Sequence, residues 1–367
     1  MEVRASSLRR NLARIRERVG ADVALIPMVK ADAYGLGVDR AIRALEPMDP
    51  WGWGVAAVEE GVALRALGAD RPIVVFSPAP RGSLVDAVAD GLIVSASDEG
   101  TLRALGAAAE RLGREASFQV EVDTGMGRAG FDWRQATLWK AFVDEAVAAG
   151  LRWTGCYTHL HSADLEDVSS VRAQWERLQV VLSHLDPPED DFMVHALNSA
   201  GALRCPEYAA DAVRPGIFMY GGRAGAGLPD PEPVASVHAR VVFTRDAPPG
   251  STVGYGATHR AHAWERWATV AIGYGDGLPR ALGNRGRALV RGRSVGIIGR
   301  ISMDVTVVNI SDVPEVEVGD AVTFIGADGA EEITVDEVAD LVGTISYEIL
   351  TGFTPRVRRV WVDDGGS

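Results

Sequence analysis

Between Val23 and about Gly216, short apolar runs alternate with amphipathic stretches, and no other feature limits the fold of this chain so strongly. The runs cover 24–29, 52–55, 73–76, 92–95, 118–122, 153–158, 192–197 and 212–214. Each is short, apolar and bounded by turn residues, as a buried strand is. Helix-like pieces separate them, among them 59–67, 97–112, 133–149 and 171–185. Eight strand–helix units of this kind predict a (β/α)8, TIM-like barrel with its active site where the strands end. A doubly wound sheet is the competing architecture. No Gly-x-Gly-x-x-Gly opens a helix after the first run, which counts against it.

Near Arg223-Ala-Gly-Ala-Gly-Leu-Pro-Asp-Pro-Glu-Pro the composition turns to Gly and Pro, the mark of a linker. Beyond it helical periodicity almost vanishes. Short β-branched segments at 236–245, 268–272, 294–298, 305–310 and 321–325 predict an all-β second domain. One helix is expected over 335–341 and a last strand over 356–362, before a frayed tail from Asp363 to Ser367. The fold class is thus α/β plus all-β: a barrel over 1–230, then a C-terminal β domain over 231–367.

Composition narrows the function. A net charge of −13 opposes nucleic-acid binding, which needs a basic face. No apolar run approaches membrane-spanning length, and the N-terminus lacks the apolar core of a secretory signal. Cys156 and Cys205 form neither a disulfide framework nor a zinc spacing. A soluble cytoplasmic protein without a metal centre is expected.

The first run ends on Lys30 and passes at once into Ala-Asp-Ala-Tyr34-Gly-Leu-Gly37. An amine at the rim of a core is partly desolvated; this lowers its pKa and frees the lone pair for Schiff-base chemistry. Alone, such a lysine reads as one that snorkels out of a strand end. The wording is more specific than that. Val-Lys-Ala-Asp-Ala-Tyr-Gly-x-Gly closely resembles the pyridoxal 5'-phosphate (PLP) lysine motif of alanine racemases. The resemblance implies that Lys30 carries the cofactor covalently and that Tyr34 lies beside its phosphate.

Further segments match that family in order and spacing from about Ser7 to Val362. In Glu121-Val-Asp-Thr-Gly-Met-Gly-Arg128, the resemblance sets Arg128 by the cofactor's phenolic oxygen and the substrate carboxylate. Many relatives have a carbamylated lysine where Glu121 stands, so Glu121 is expected to supply the anion that orients Arg128. Tyr157-Thr-His159 implies that His159 hydrogen-bonds a catalytic tyrosine. His195-Ala-Leu-Asn198-Ser199 and Arg214-Pro-Gly216-Ile217 imply cofactor contacts from Asn198, Ser199, Gly216 and Ile217, with Arg214 at the pyridine nitrogen. Tyr347 matches a phosphate-binding tyrosine. Tyr255 matches the family's second base, while Tyr274, Met303 and Asp304 match substrate-side positions. Gly275 and Ser302 replace the family's frequent Ala and Cys, and Leu36 stands where many members have histidine.

The resemblance also implies the chemistry. Racemisation removes a proton from one face of Cα and returns one on the other, so two acid/base groups must flank a planar adduct. Lys30 would serve one face and Tyr255 the other. A free tyrosine, with pKa about 10, needs lowering for that task. Arg128 and Met303 would hold the carboxylate, and a site crowded by tyrosines favours alanine. The expected product is D-alanine for cell-wall peptidoglycan, made by a homodimer with shared active sites. Rival readings are a serine or broad-specificity racemase, an ornithine-decarboxylase-like enzyme, and a non-catalytic single-barrel PLP-binding protein. The last lacks the β domain.

Overall fold

The computed structural model describes residues 1–188 and 191–363. The expected tail at 364–367 lies outside the described residues.

All eight expected barrel strands form. They are β2 (Ala24–Leu25), β3 (Trp53–Val55), β4 (Ile73–Val75), β5 (Ile93–Ala96), β6 (Ser117–Asp123), β8 (Arg152–Tyr157), β9 (Met193–Asn198) and β10 (Ala212–Arg214). A two-residue strand, β7 (Phe131–Asp132), pairs only with β6. The eight run parallel in the order β2-β10-β9-β8-β6-β5-β4-β3. A parallel bridge between Met28 and Gly54, just past the end of β2, joins the last strand to the first. Strands β4 and β5 are buried at every residue, which is why their sequences lack alternation.

The eighth helix departs from the expected order. No helix follows β10; its place in the outer ring is taken by α1 (Ala5–Val19), which precedes β2. Its Ala5, Leu8, Leu12 and Ile15 recur every three or four residues and are buried, packing on Val38–Leu45 and Ser199–Arg204. The chain therefore reads helix–strand around the barrel.

Ahead of α1, β1 (Glu2–Arg4) leaves the barrel and joins the second sheet, between β11 (Ala235–Ala247) and β20 (Val360–Val362). The rest of that sheet is β14 (Glu265–Val270), β15 (Arg287–Val290), β16 (Arg293–Ile298), β17 (Thr306–Asn309), β18 (Ala321–Asp328) and β19 (Glu331–Ile333). The long β11 pairs with β18 through its first half and β14 through its second, closing six strands into a ring. Bulges within β11 let one strand serve both neighbours. A hairpin of β12 (Thr252–Val253) and β13 (His259–Arg260) projects from this domain. Two helices, Val335–Val342 and Ser346–Gly352, lead back towards the barrel mouth. Among the described residues, no helix is long and apolar enough to cross a membrane.

Candidate active site

Lys30 stands at the barrel's carboxyl mouth, three residues beyond Pro27. The four residues after it, Ala31, Asp32, Ala33 and Tyr34, all have left-handed backbone, with φ of 52° to 56°. None is glycine, so each costs about 1–2 kcal/mol. A run like this persists only where its surroundings over-determine it. They do here. Gly35 N donates to Ala31 O (2.8 Å), Gly37 N to Asp32 O (2.9 Å), and Val38 N to the Asp32 carboxylate (2.8 Å). From the β domain, Arg359 Nε donates to Gly35 O (2.9 Å) and Trp361 Nε1 to Leu36 O (3.1 Å). Leu36, at the position where relatives often have histidine, is fully buried. It works as packing under this loop.

The turn aims Lys30 into a cavity of about 240 Å³. Eleven expected residues line it: Lys30, Tyr34, Glu121, Arg128, His159, Asn198, Ser199, Arg214, Gly216, Ile217 and Tyr347. Ten come from the barrel strands and their loops. Tyr347 comes from the β domain of the same chain, on helix Ser346–Gly352. The Lys30 amine makes no hydrogen bond among the described residues. Burial lowers its pKa, the charges of Arg128 and Arg214 lower it further, and Glu60 opposes them.

Arg214 is the best-fixed charge of the cavity. Its guanidinium donates to Thr158 O (2.8 Å), Ala196 O (3.0 Å) and His195 Nδ1 (2.5 Å), and lies 3.3 Å from His159 Nδ1. It also sits over the rings of Tyr157 and Phe76, at 5.2 and 5.5 Å. Burial lowers its pKa to about 10, so it stays charged at neutral pH. Since His195 Nδ1 accepts from Arg214, its Nε2 must carry the hydrogen, which goes to Gln119 Oε1 (2.9 Å). Burial and the adjacent guanidinium keep His195 neutral, with a pKa well below the usual range. The same causes bring His159 down to about 3, with Arg128 and Lys30 adding to them.

Glu121 is buried on β6 and accepts from Ser97 Oγ (2.8 Å). Burial raises its pKa; the Ser97 bond, Arg128, Arg214 and the Tyr157 phenol counter that. It makes no ion pair with Arg128 among the described residues. Its influence on Arg128 is through space.

Tyr34 lies between two rings, stacked on Tyr220 at 4.5 Å and tilted towards Tyr347 at 5.8 Å. Its hydroxyl comes close to Gly216, where a Cβ would fall inside 3.0 Å of it. Glycine is required there for space. Neither the Tyr34 nor the Tyr347 hydroxyl has a hydrogen-bond partner among the described residues. Gly216 N donates to Ser199 Oγ (2.8 Å), and Asn198 caps helix Ser199–Arg204 by accepting from Gly201 N (3.0 Å).

Four expected residues lie elsewhere. Tyr255, Tyr274 and Met303 are 70%, 41% and 52% exposed on the β domain, and Asp304 is exposed beside them. Their loops are held together: Tyr274 N donates to Ser302 O (3.0 Å) and Gly275 N to Met303 O (2.8 Å). Arg356 ties Asp276 (3.0 Å) to Asp304 (2.8 Å). His159 accordingly makes no contact with Tyr255 of its own chain. Conversely, the cavity is also lined by Phe76, Ser77 and Tyr157, to which the sequence reading gave no role. A phenylalanine closing an apolar run carries no signal that sets it apart from core.

The family model for the alanine racemase N-terminal domain matches residues 3–224, and that for the C-terminal domain matches 234–361. Alanine racemase from Halothermothrix orenii is 34% identical over 371 residues, covering 100% of this chain and 97% of the relative. Alanine racemase 2 from Bacillus subtilis is 36% identical, covering 100% and 95%. Among solved structures, alanine racemase from Clostridium difficile 630 superimposes with a TM-score of 0.93 at 28% identity, covering 99% of this chain and 95% of that one. The Bacillus anthracis alanine racemase with bound L-Ala-P gives 0.91 at 31%, covering 100% and 95%.

Proposed function

The chain belongs to the alanine racemase family and is a PLP-dependent isomerase acting on alanine, and we propose the following division of labour among its residues. The single observation that carries it is the convergence of an unpartnered, desolvated Lys30 with Arg128 and Arg214 in one small cavity. The residue set fits the cofactor. Gly216 leaves room against Tyr34, and two free phenol hydroxyls, with Ser199 and the Gly216–Ile217 backbone, make a phosphate cradle. Asn198 holds that cradle in place through its cap. PLP, when bound, attaches the substrate amine through its aldehyde and delocalises the electron pair left at Cα.

Everything else falls to the protein. Arg214 would stand at the ring nitrogen as a fixed cation that does not give up its proton, so it would leave that nitrogen unprotonated and limit electron withdrawal. Arg128 orients the substrate carboxylate under the field of Glu121. Lys30, its ammonium disfavoured by burial and two arginines, holds or takes a proton at Nζ on one face of Cα.

The opposite face needs a second acid/base group, and Tyr255 of the same chain stands exposed on the other domain. The reading is a head-to-tail homodimer, in which Tyr255 of the partner subunit holds the proton on that face. Tyr274, Met303 and Asp304 would accompany it. A two-fold interface repeats this exchange twice. We divide the chain at 230/231, within the Pro-rich linker, and propose a cytoplasmic setting because both cysteines are free and buried.

Complementation tests the shared site. Inactive Lys30→Ala and inactive Tyr255→Phe proteins are mixed under conditions that exchange subunits. A mixed dimer then carries one doubly damaged and one intact site, so up to half the parental activity per dimer returns. Sites built within one chain would keep one lesion each, and mixing would restore nothing.

A further inference from the structure

Glu60 lies outside the motifs that mark the site, yet its carboxylate holds three backbone N–H groups from two different loops. Oε2 accepts from Ala56 N (2.7 Å) and Ala57 N (3.2 Å), the residues that open helix Val58–Ala66. Oε1 reaches across to Ala31 N (2.6 Å), the amide directly after Lys30. Capping its own helix would explain the first two contacts. It does not explain the third, which joins the loop after β3 to the loop after β2 and falls on the first left-handed residue of the turn.

The far end of that turn is held by Arg359 and Trp361. At the near end, Glu60 grips the backbone through the Ala31 amide. Lys30 is the residue between Val29, whose φ is −112°, and the left-handed Ala31, whose φ is 52°, so its direction depends on where φ changes sign. We propose that Glu60 is a positioning residue for Lys30: by pinning the Ala31 amide it fixes the backbone reversal that aims the amine into the cavity. This rests on the reading of Lys30 as the residue that binds the aldehyde cofactor. Loss of a bond between a carboxylate and an amide is worth about tenfold in an equilibrium that depends on it.

The chain has two lysines, Lys30 and Lys140, so the second serves as an internal control. Cofactor-free parent, Glu60→Gln and Glu60→Asp proteins are mixed with subsaturating PLP and quenched with borohydride. The lysine amine adds to the aldehyde with loss of water; hydride then reduces the C=N bond and a solvent proton ends on nitrogen. Mass spectrometry of the two lysine peptides reads the yield. Glutamine keeps the length but offers one acceptor oxygen, and aspartate is too short to span both loops. Both should lose about tenfold in Lys30 yield with Lys140 unchanged, while circular dichroism matches the parent. A parental Lys30 yield in either folded variant overturns the proposal. Trapping on Lys140 in the parent would instead overturn the cofactor assignment. In the unsubstituted protein the Ala31 amide should exchange with solvent at least about tenfold more slowly than a free peptide; free-peptide exchange there also overturns it.

Discussion

Gly216→Ala probes the cofactor cradle with one added methyl group. The new Cβ would lie inside 3.0 Å of the Tyr34 hydroxyl, a separation that real Cβ atoms essentially never adopt, and 3.2 Å from its Cζ. Tyr34 has little room to yield. Its ring stacks on Tyr220, which is fully buried and bonded to Met28 O (3.0 Å), and its backbone is fixed in the left-handed turn. Overpacking of this kind costs about 1–3 kcal/mol. Relief requires moving the hydroxyl off the proposed phosphate position, and a lost hydrogen bond to a charged group is worth about 1.5–3 kcal/mol. Affinity for PLP should therefore fall about 10- to 100-fold, read by titrating cofactor-free protein and following absorbance. Tyr34→Phe removes the clashing oxygen and the proposed phosphate contact together. In the double variant the two affinity penalties should not add, because each loses the same contact. Parental affinity in Gly216→Ala, or fully additive penalties, would refute the placement of Tyr34 against Gly216.

Two further substitutions follow from the buried charges. Burial raises the Glu121 pKa, so the folded chain holds protons there above pH 4.5 that the unfolded chain has released, and stability falls as pH rises through that range. Glu121→Gln should make the cofactor-free protein more resistant to denaturant at neutral pH while slowing racemisation; a less stable variant contradicts this. His159 shifts the other way, from 6.5 to about 3, so the unfolded chain binds a proton first as pH drops. Stability should fall across that window by up to about 1.4 kcal/mol per pH unit for this one group, and His159→Asn should flatten the slope of a denaturation series. An unchanged slope would show that the imidazole titrates normally.

The barrel was legible because its strands are short apolar runs in a fixed rhythm, and β4 and β5, buried throughout, give the purest examples. The helix Ala5–Val19 was not, since charged residues surround its few apolar positions and the strand–helix rhythm suggests that the missing helix lies at the other end. The residues β1 contributes to the second sheet are too few for any period to register. Site residues were read motif by motif, and eleven of them meet in one cavity. The left-handed turn could not be read, because Ala-Asp-Ala-Tyr carries no glycine and tertiary contacts impose the conformation. For the same reason nothing in the sequence sets Glu60 apart from other carboxylates at a helix start. Its third amide partner lies 29 residues away.

The central claim is racemisation by two groups on opposite faces of Cα, and the most direct measurement follows L-alanine and D-alanine separately in heavy water. Circular dichroism should decay to zero from either enantiomer, and every molecule of the newly formed enantiomer should carry deuterium at Cα, because the group that protonates is not the one that took the proton. Product that keeps the substrate's own hydrogen would point to a single base. An unchanging optical signal, or ethylamine with carbon dioxide in place of alanine, would contradict the account altogether.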